Sequence, residues 1–316
     1  MEALLKIIPK EFFVENLKQN TLGSIKIAIL REVTGNLIIR SNYPDETITY
    51  KVSNKKDVVE IPARKLKSKE KLLGLKMCRQ FDVVDSELRY NVIKKSEQLA
   101  NPNSILFGDS VTESGDAVGI TSRAIYDWAY SIRDVSEITA MLQHNALSEG
   151  GTMWNEEEGK LRQSLFQVQY VKPATYFPHF ITIENVTPEL FIHLLACVMY
   201  ESRYGAQSTT LGANIKNHIL GVGLGRFEKP INSFSITEKW NTEEVSLSAV
   251  RAAINSEMSL VYGEDNYKGG EGLIKLIDEL WKDEKKLKSI YKKAQEDCQQ
   301  FLKDIGVIKV PKKKTK

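Results

Sequence analysis

Residues 24–33 alternate, with Ile25, Ile27 and Ile29 on one face and Ser24, Lys26 and Ala28 on the other. Successive side chains leave a strand on opposite sides, so a period of two with one apolar face predicts a half-buried β-strand. Gly35-Asn36 punctuates the chain, and short β-rich pieces follow at 37–40, 47–52 and 58–61, which read as an inserted hairpin or flap. From about residue 68 to 81 Lys, Glu, Leu and Met replace the β-branched residues and predict a helix. Residues 82–121 are rich in Asn, Ser, Gly and Asp and read mostly as loop, apart from a short apolar piece at 105–107.

A second strand is predicted over 123–133, where Ala124, Tyr126, Trp128, Tyr130 and Ile132 share a face. Such an aromatic row is more readily the interior of a sheet than a platform for stacked bases. Residues 134–160 are too long for a hairpin turn and read as a protruding loop or hairpin, with a disordered acidic loop as the alternative. Strands follow at 163–171 and 176–185. Thr187-Pro188-Glu189 then starts a helix, with a capping residue, Pro at the first helical position and an acid in the first turn. That helix, read to about Tyr204, is apolar almost all round and should be buried. A further strand at 214–224 completes the order of the ferredoxin-like split βαβ unit, which is also the order of RNA-recognition domains.

The fold class is therefore α+β: a ferredoxin-like, RNA-recognition-type core in one domain over 1–316. Large insertions at 36–66 and 82–121 form flap regions, and 134–160 a protrusion. A C-terminal helical part spans 242–306, with one helix ending at Gly263 and a long amphipathic one over 271–304 ending at Gly306. The latter should pack on the core. A basic tail, 307–316, closes the chain.

Charge changes the picture locally. The chain carries a net charge of only +3, yet between Lys51 and Gln80 ten basic residues stand against three acidic ones, and 311–316 adds four lysines. Neutralising phosphates requires such density, because each contact releases condensed counterions. A solvated helix face with a solubilising tail has the same composition. The three cysteines, Cys78, Cys197 and Cys298, have no C-x-x-C pair, which gives no disulfide framework or zinc knuckle. The longest nearly apolar run, 190–200, is interrupted by His193 and falls short of the roughly 20 residues a membrane span needs. With no basic and apolar leader after Met1, the expected place is the cytoplasm.

Catalytic patterns are scarce. There is no H-E-x-x-H, G-x-S-x-G or P-loop, and the four histidines share no metal-ligand spacing. Gly221, Gly223 and Gly225 lack the Rossmann spacing and suggest a strand bend or bulge. Asp109, Glu113 and Asp116 form the one local acid cluster, so Asp109 and Asp116 carry a minority reading as a metal-dependent nuclease. No catalytic residue, metal or cofactor is otherwise expected. A binding signature remains: Arg203, Tyr204 and Gln207, with Gly205 between them, followed by Lys216, Asn217 and His218. These suit a sugar-phosphate backbone with a base stacked beside it, although a helix end satisfied by its own neighbours has similar residues.

At these residues the chain resembles a known family. E-G-G-T-M at 149–153, R-Y-G-A-Q at 203–207 and K-N-H-I-L-G at 216–221, together with their spacing, resemble the backbone subunit of type I-D CRISPR complexes, the Csc-two branch of the Cas-seven superfamily. Gly108-Asp109-Ser110 and the strand at 122–130 match more loosely, and the resemblance spans residues 20–300. Relatives often carry a cysteine cluster before the glycine-aspartate block; here only Cys78 stands there, so no zinc is expected.

The resemblance implies a subunit that binds CRISPR guide RNA (crRNA), stacks head to tail with itself and holds the guide against a target DNA strand. It also implies a large subunit, a Cas-five-type subunit and a small subunit as partners. Its thumb hairpin would be 134–160, with Met153 and Trp154 displacing one base per copy. Guide contacts are expected at Arg64, Lys65, Lys67, Arg123, Arg203, Tyr204, Gln207, Lys216, Asn217 and His218. A protein-only scaffold remains the other alternative.

Overall fold

The structure, a computed structural model, describes residues 1–40, 43, 46–52, 56–111, 118–145, 154–155, 159–161 and 165–308. Six elements form the core: β1 (Ser24–Val33), α1 (Ala63–Gln80), β2 (Ala124–Tyr126), β3 (Tyr176–Glu184), α2 (Pro188–Tyr200) and β4 (Ile215–Gly225). Their strands pair antiparallel in the order β4-β1-β3-β2, the ferredoxin-like arrangement, and β5 (Tyr267–Gly269) extends the sheet beyond β4. An extra residue in β4 shifts its register against β1 between Ala28 and Ile29.

The strand predicted at 24–33 is there, but it is buried on both faces rather than one. Ile25, Ile27 and Ile29 enter the larger core with α1 and α2, while Ala28 and Leu30 enter a second core. The second is closed by α3 (Ser233–Lys239) and α4 (Leu247–Tyr262), which lay Ile236, Val250, Ile254 and Met258 on the sheet's other face. Lys26 lies on that second face. Its ammonium is satisfied by the carbonyls of Lys229 and Ile231 at 3.1 and 2.8 Å and by Glu228 at 2.8 Å, as a buried charge requires.

Other predicted elements shift. The helix read from residue 68 starts five residues earlier, at Ala63 after Pro62. The strand read over 123–133 is two: β2 breaks at Asp127-Trp128 before Ala129–Asp134. The break scatters the aromatic row, so Tyr126 is buried, Tyr130 half-buried and Trp128 exposed. Within 82–121 the apolar piece belongs to a helix, Pro102–Phe107, whose N-cap Asn101 accepts from Ser104 N at 2.9 Å. Thr187 precedes α2, but its hydroxyl makes no capping bond; the backbone carbonyl alone receives Phe191 N at 3.1 Å. α2 ends at Tyr200, so the chain to Tyr204 is loop.

The single helix read over 271–304 is α5 (Glu271–Leu280) and α6 (Glu284–Asp304), restarted where Asp283 accepts from Lys286 N at 3.1 Å. Their apolar stripes, including Leu276, Ile277, Leu287 and Tyr291, lie in the larger core and sandwich α2 against the sheet. His193 of α2 meets Tyr291 Oη at 2.9 Å, and burial takes its pKa down to about 3. The bulge expected at the glycines is present, since the register against β1 skips Leu220 beside Gly221, and a Cβ at Gly221 or Gly223 would fall 2.5 Å from Lys268 O or the Tyr262 ring, so neighbours also lie directly on the strand.

Outside the core, Thr49–Val52, Lys56–Ile61 and Ala129–Asp134 make a three-stranded flap sheet. Thr139–Asn145 pairs with Leu165–Val171 in a two-stranded ribbon that carries the short pair Trp154–Asn155 and Lys160–Leu161. Among the described residues, no helix is long and apolar enough to cross a membrane, and no three His, Cys, Asp or Glu side chains come together as metal ligands would. All three cysteines are buried and free.

Candidate nucleic-acid interface

RNA-recognition domains stack bases on the sheet face away from their two helices. Here α3 and α4 cover that face, so stacked bases have no access to it. The residues that carry the R-Y-G-A-Q and K-N-H motifs gather instead at the end of the sheet where β1, α1 and β4 meet.

Their organising centre is a buried polar network. Arg31 of β1 donates to Glu70 of α1 at 2.7 Å, to Asn217 Oδ1 at 2.9 Å and to Tyr204 Oη at 3.1 Å. Tyr204 Oη donates to Glu70 at 2.7 Å, and Tyr126 Oη donates to its other oxygen. Burial disfavours the Arg31 charge, but Glu70 outweighs it and holds the guanidinium above its ordinary pKa. On the far side, Arg31 meets His179 Nδ1 at 3.2 Å while His179 Nε2 meets Asp127 O at 3.0 Å. Burial, then Arg31, lowers the His179 pKa well below its ordinary value. The neutral ring thus donates from Nε2 and accepts at Nδ1.

Tyr204 and Asn217 are therefore framework. Tyr204 is fully buried and offers no ring for a stacked base, and Asn217 donates to Val198 O and Glu201 O at 2.7 and 3.0 Å. His218 is bound to Glu32 at 2.7 Å. The network anchors the loop that follows α2 and leaves its other side chains outward: Arg203 is exposed, and Gln207 is half-exposed. Gly205 has φ +74°, and a Cβ there would fall 2.3 Å from Ile38 O; Ala206 N donates to that carbonyl at 2.9 Å. The contact brings the segment that ends in Arg40 against the loop.

α1 completes the cationic surface. Its N-terminus has neither a side-chain cap nor an acid in its first turn, so its free N–H groups and dipole favour an anion. Arg64 is exposed there, and Lys65 is depressed in pKa by burial and then by Arg64 and Arg40, three cations held together. Lys67 turns the other way, to Ser122 Oγ at 2.6 Å and Ala124 O at 3.0 Å, and burial brings its pKa down to about 8. Arg123 is likewise spent, on Leu17 O at 2.6 Å and on Asn185 O, with its guanidinium over the Phe301 ring. Of the ten guide contacts expected from sequence, Arg64, Lys65, Arg203, Gln207 and Lys216 keep outward-facing positions near this end. The sequence reading missed Arg40, whose cue was its place in the β-rich piece that the loop grips.

A family profile described as Csc2 Crispr matches residues 17–263. The chain belongs to the Csc2 CRISPR family. The crystal structure of Thermofilum pendens Csc2 shares the fold, with a TM-score of 0.60 at 16% identity over 95% of this chain and 94% of that one. Chains from a CRISPR RNA-guided surveillance complex, and from one captured before nicking, align at TM-scores of 0.45 and 0.48 and at 10% and 11% identity. They cover 73% and 74% of this chain, and 82% and 86% of theirs. No curated protein matches it.

Two remaining expectations concern other regions. Asp109 is paired with Lys71 at 2.8 Å and accepts from Ser104 Oγ at 2.9 Å, so its charge is already matched. Asp116 and Glu113 lie outside the described residues. Trp154 sits exposed on the ribbon, whereas Met153 also falls outside the described residues, as does the basic tail beyond 308.

Proposed function

We propose that this Csc2-family chain is the repeating, guide-RNA-binding backbone subunit of a type I-D CRISPR complex in the cytoplasm. The observation that carries this reading is the group of cations at the uncapped N-terminus of α1, exposed Arg64 with half-buried Lys65 and Arg40 beside it, together with exposed Arg203 on the pinned loop. Phosphates bound there would hold the guide by backbone contacts, leaving its bases free to pair with a target DNA strand. Copies stack head to tail along the guide, and the exposed Trp154 interrupts pairing at each copy. The large, Cas-five-type and small subunits of the complex cap and line the assembly. The neutralised Asp109 supports a role in binding rather than hydrolysis.

Purification without nuclease, followed by size distribution and 260/280 absorbance before and after a high-salt wash, tests the reading. RNA-bearing oligomers that lose RNA in salt are expected. An RNA-free monomer that also ignores added guide would overturn it in favour of a scaffold that binds only protein.

A further inference from the structure

Away from the cationic end, the flap sheet and α3 enclose a cleft of about 590 Å³ with the opposite character. Tyr50 and Tyr130 of the flap and Phe234 of α3 meet edge to face, with ring centroids 5.6 to 5.9 Å apart. Trp128 stands at the rim, 48% exposed, and Tyr50 is 46% exposed. A monomer gains nothing by leaving such large rings in water, and aromatic residues are enriched at interface centres.

Two carboxylates line the same cleft. Glu60 is buried and shares a hydrogen bond with Tyr130, and Asp127 has one oxygen, Oδ2, buried without a hydrogen-bond partner among the described residues. The cation that acts on Asp127, Lys26, is already engaged by Glu228 and two carbonyls. Buried negative charge beside open aromatic faces is complementary to a guanidinium, which stacks on rings and donates in the plane to carboxylates. The same charge repels a phosphodiester, so the cleft disfavours nucleic acid.

We propose that this aromatic, acidic cleft receives an arginine side chain from a second copy of the chain, and so forms one half of the contact between successive copies. This rests on the repeating assembly proposed above. Each copy would carry both the cleft and an exposed arginine, the condition for a contact that propagates head to tail.

Two measurements on the full chain test it. In the first, acetyl-arginine-methylamide is titrated into RNA-free protein while the Trp128 indole resonance, identified by its loss in Trp128→Phe, is followed by NMR. A saturable shift is expected, at least fivefold weaker in Asp127→Asn and with the neutral citrulline analogue. No shift, or equal shifts from arginine and citrulline, would overturn the site.

In the second, loading is compared on a guide long enough for one copy and on one long enough for four. Asp127→Asn and Trp128→Ala should weaken loading on the long guide about tenfold, as loss of a central contact does, and leave one-copy affinity and its salt slope unchanged. An equal loss on both guides would mean that the cleft takes a base, and no loss on either would exclude it from the contact; both overturn the proposal. Wild-type protein that loads neither guide would instead overturn the assembly reading and the second-copy occupant with it, leaving the first measurement to judge the cation site alone.

Discussion

Arg31 of β1 and Glu70 of α1 form an ion pair at 2.7 Å with neither side chain exposed to solvent. The pair ties the central strand to the first helix, and through Tyr204 and Asn217 it ties both to the loop that carries Arg203. Removing one member strands a buried charge, which costs about 3–5 kcal/mol. Glu70→Ala should lower stability by that amount in urea denaturation. Arg31→Met combined with Glu70→Leu should cost clearly less than the two single changes added together. Additive losses would show that the two charges are not coupled.

Tyr204→Phe should act through the framework alone. Loss of the hydroxyl leaves Glu70 and Asn217 short of a partner, a cost of about 1–3 kcal/mol. Guide affinity measured where the variant is fully folded should be unchanged. A fall in affinity at full folding would give the ring a role at RNA that its burial does not allow.

Lys65→Ala and Arg203→Ala should each weaken guide binding several-fold with stability little altered. Each should also reduce the slope of log affinity against log salt by about 0.7, the value for one phosphate contact on a single strand. Lys67→Ala is the contrasting variant. Its ammonium is spent on Ser122 and Ala124, so it should leave the slope intact and lower stability instead.

Gly205→Ala should separate loop position from loop chemistry. The added Cβ cannot stand 2.3 Å from Ile38 O, so the bond between Ala206 N and Ile38 O must open. Faster amide exchange at Ala206 and weaker guide binding are expected together, with Arg203 itself unchanged.

Asp127 gives a pH dependence. Burial, with Glu228 adding to it against Lys26, pushes its carboxyl up to about 6 from an ordinary 3.8, while Ser233 N donates to it and the neutral His179 donates to its backbone carbonyl. Between these values the folded chain holds a proton that the unfolded chain has lost. The contribution of Asp127 to stability is therefore most favourable below about pH 4 and declines as pH rises to about 6. Asp127→Asn should be more stable than wild type at pH 7, by an amount on the order of 3 kcal/mol, and equal to it near pH 4. Equal stability at both pH values would show that the carboxylate is not strained.

Much of the fold was legible because it rests on local periodicity. The alternation at 24–33, the all-apolar stretch after Thr187 and the strand at 214–224 each announce an element whose type depends on its own residues, and their order specifies the βαββαβ core. Boundaries were less legible. Asp127-Trp128 interrupts a pattern whose apolar face runs unbroken from Ala124 to Ile132, because the chain there leaves one sheet for another. Asp283 restarts a helix whose apolar stripe runs on across the break.

By itself, then, the sequence determined the class of fold, the order of the core elements, the basic character of residues 51–80 and the motifs by which the family is recognised. Tertiary structure decided which motif residues face outward. Arg203 and Tyr204 are adjacent in sequence, yet one is exposed and the other fully buried against Arg31 and Glu70. The basic helix likewise divides: Arg64 and Lys65 face outward, while Lys67 and Lys71 are consumed by the loop packed beside them. Whether a charge is free to meet a phosphate depends on the acceptors that the fold brings within about 3 Å of it, and those come from segments far away in the chain.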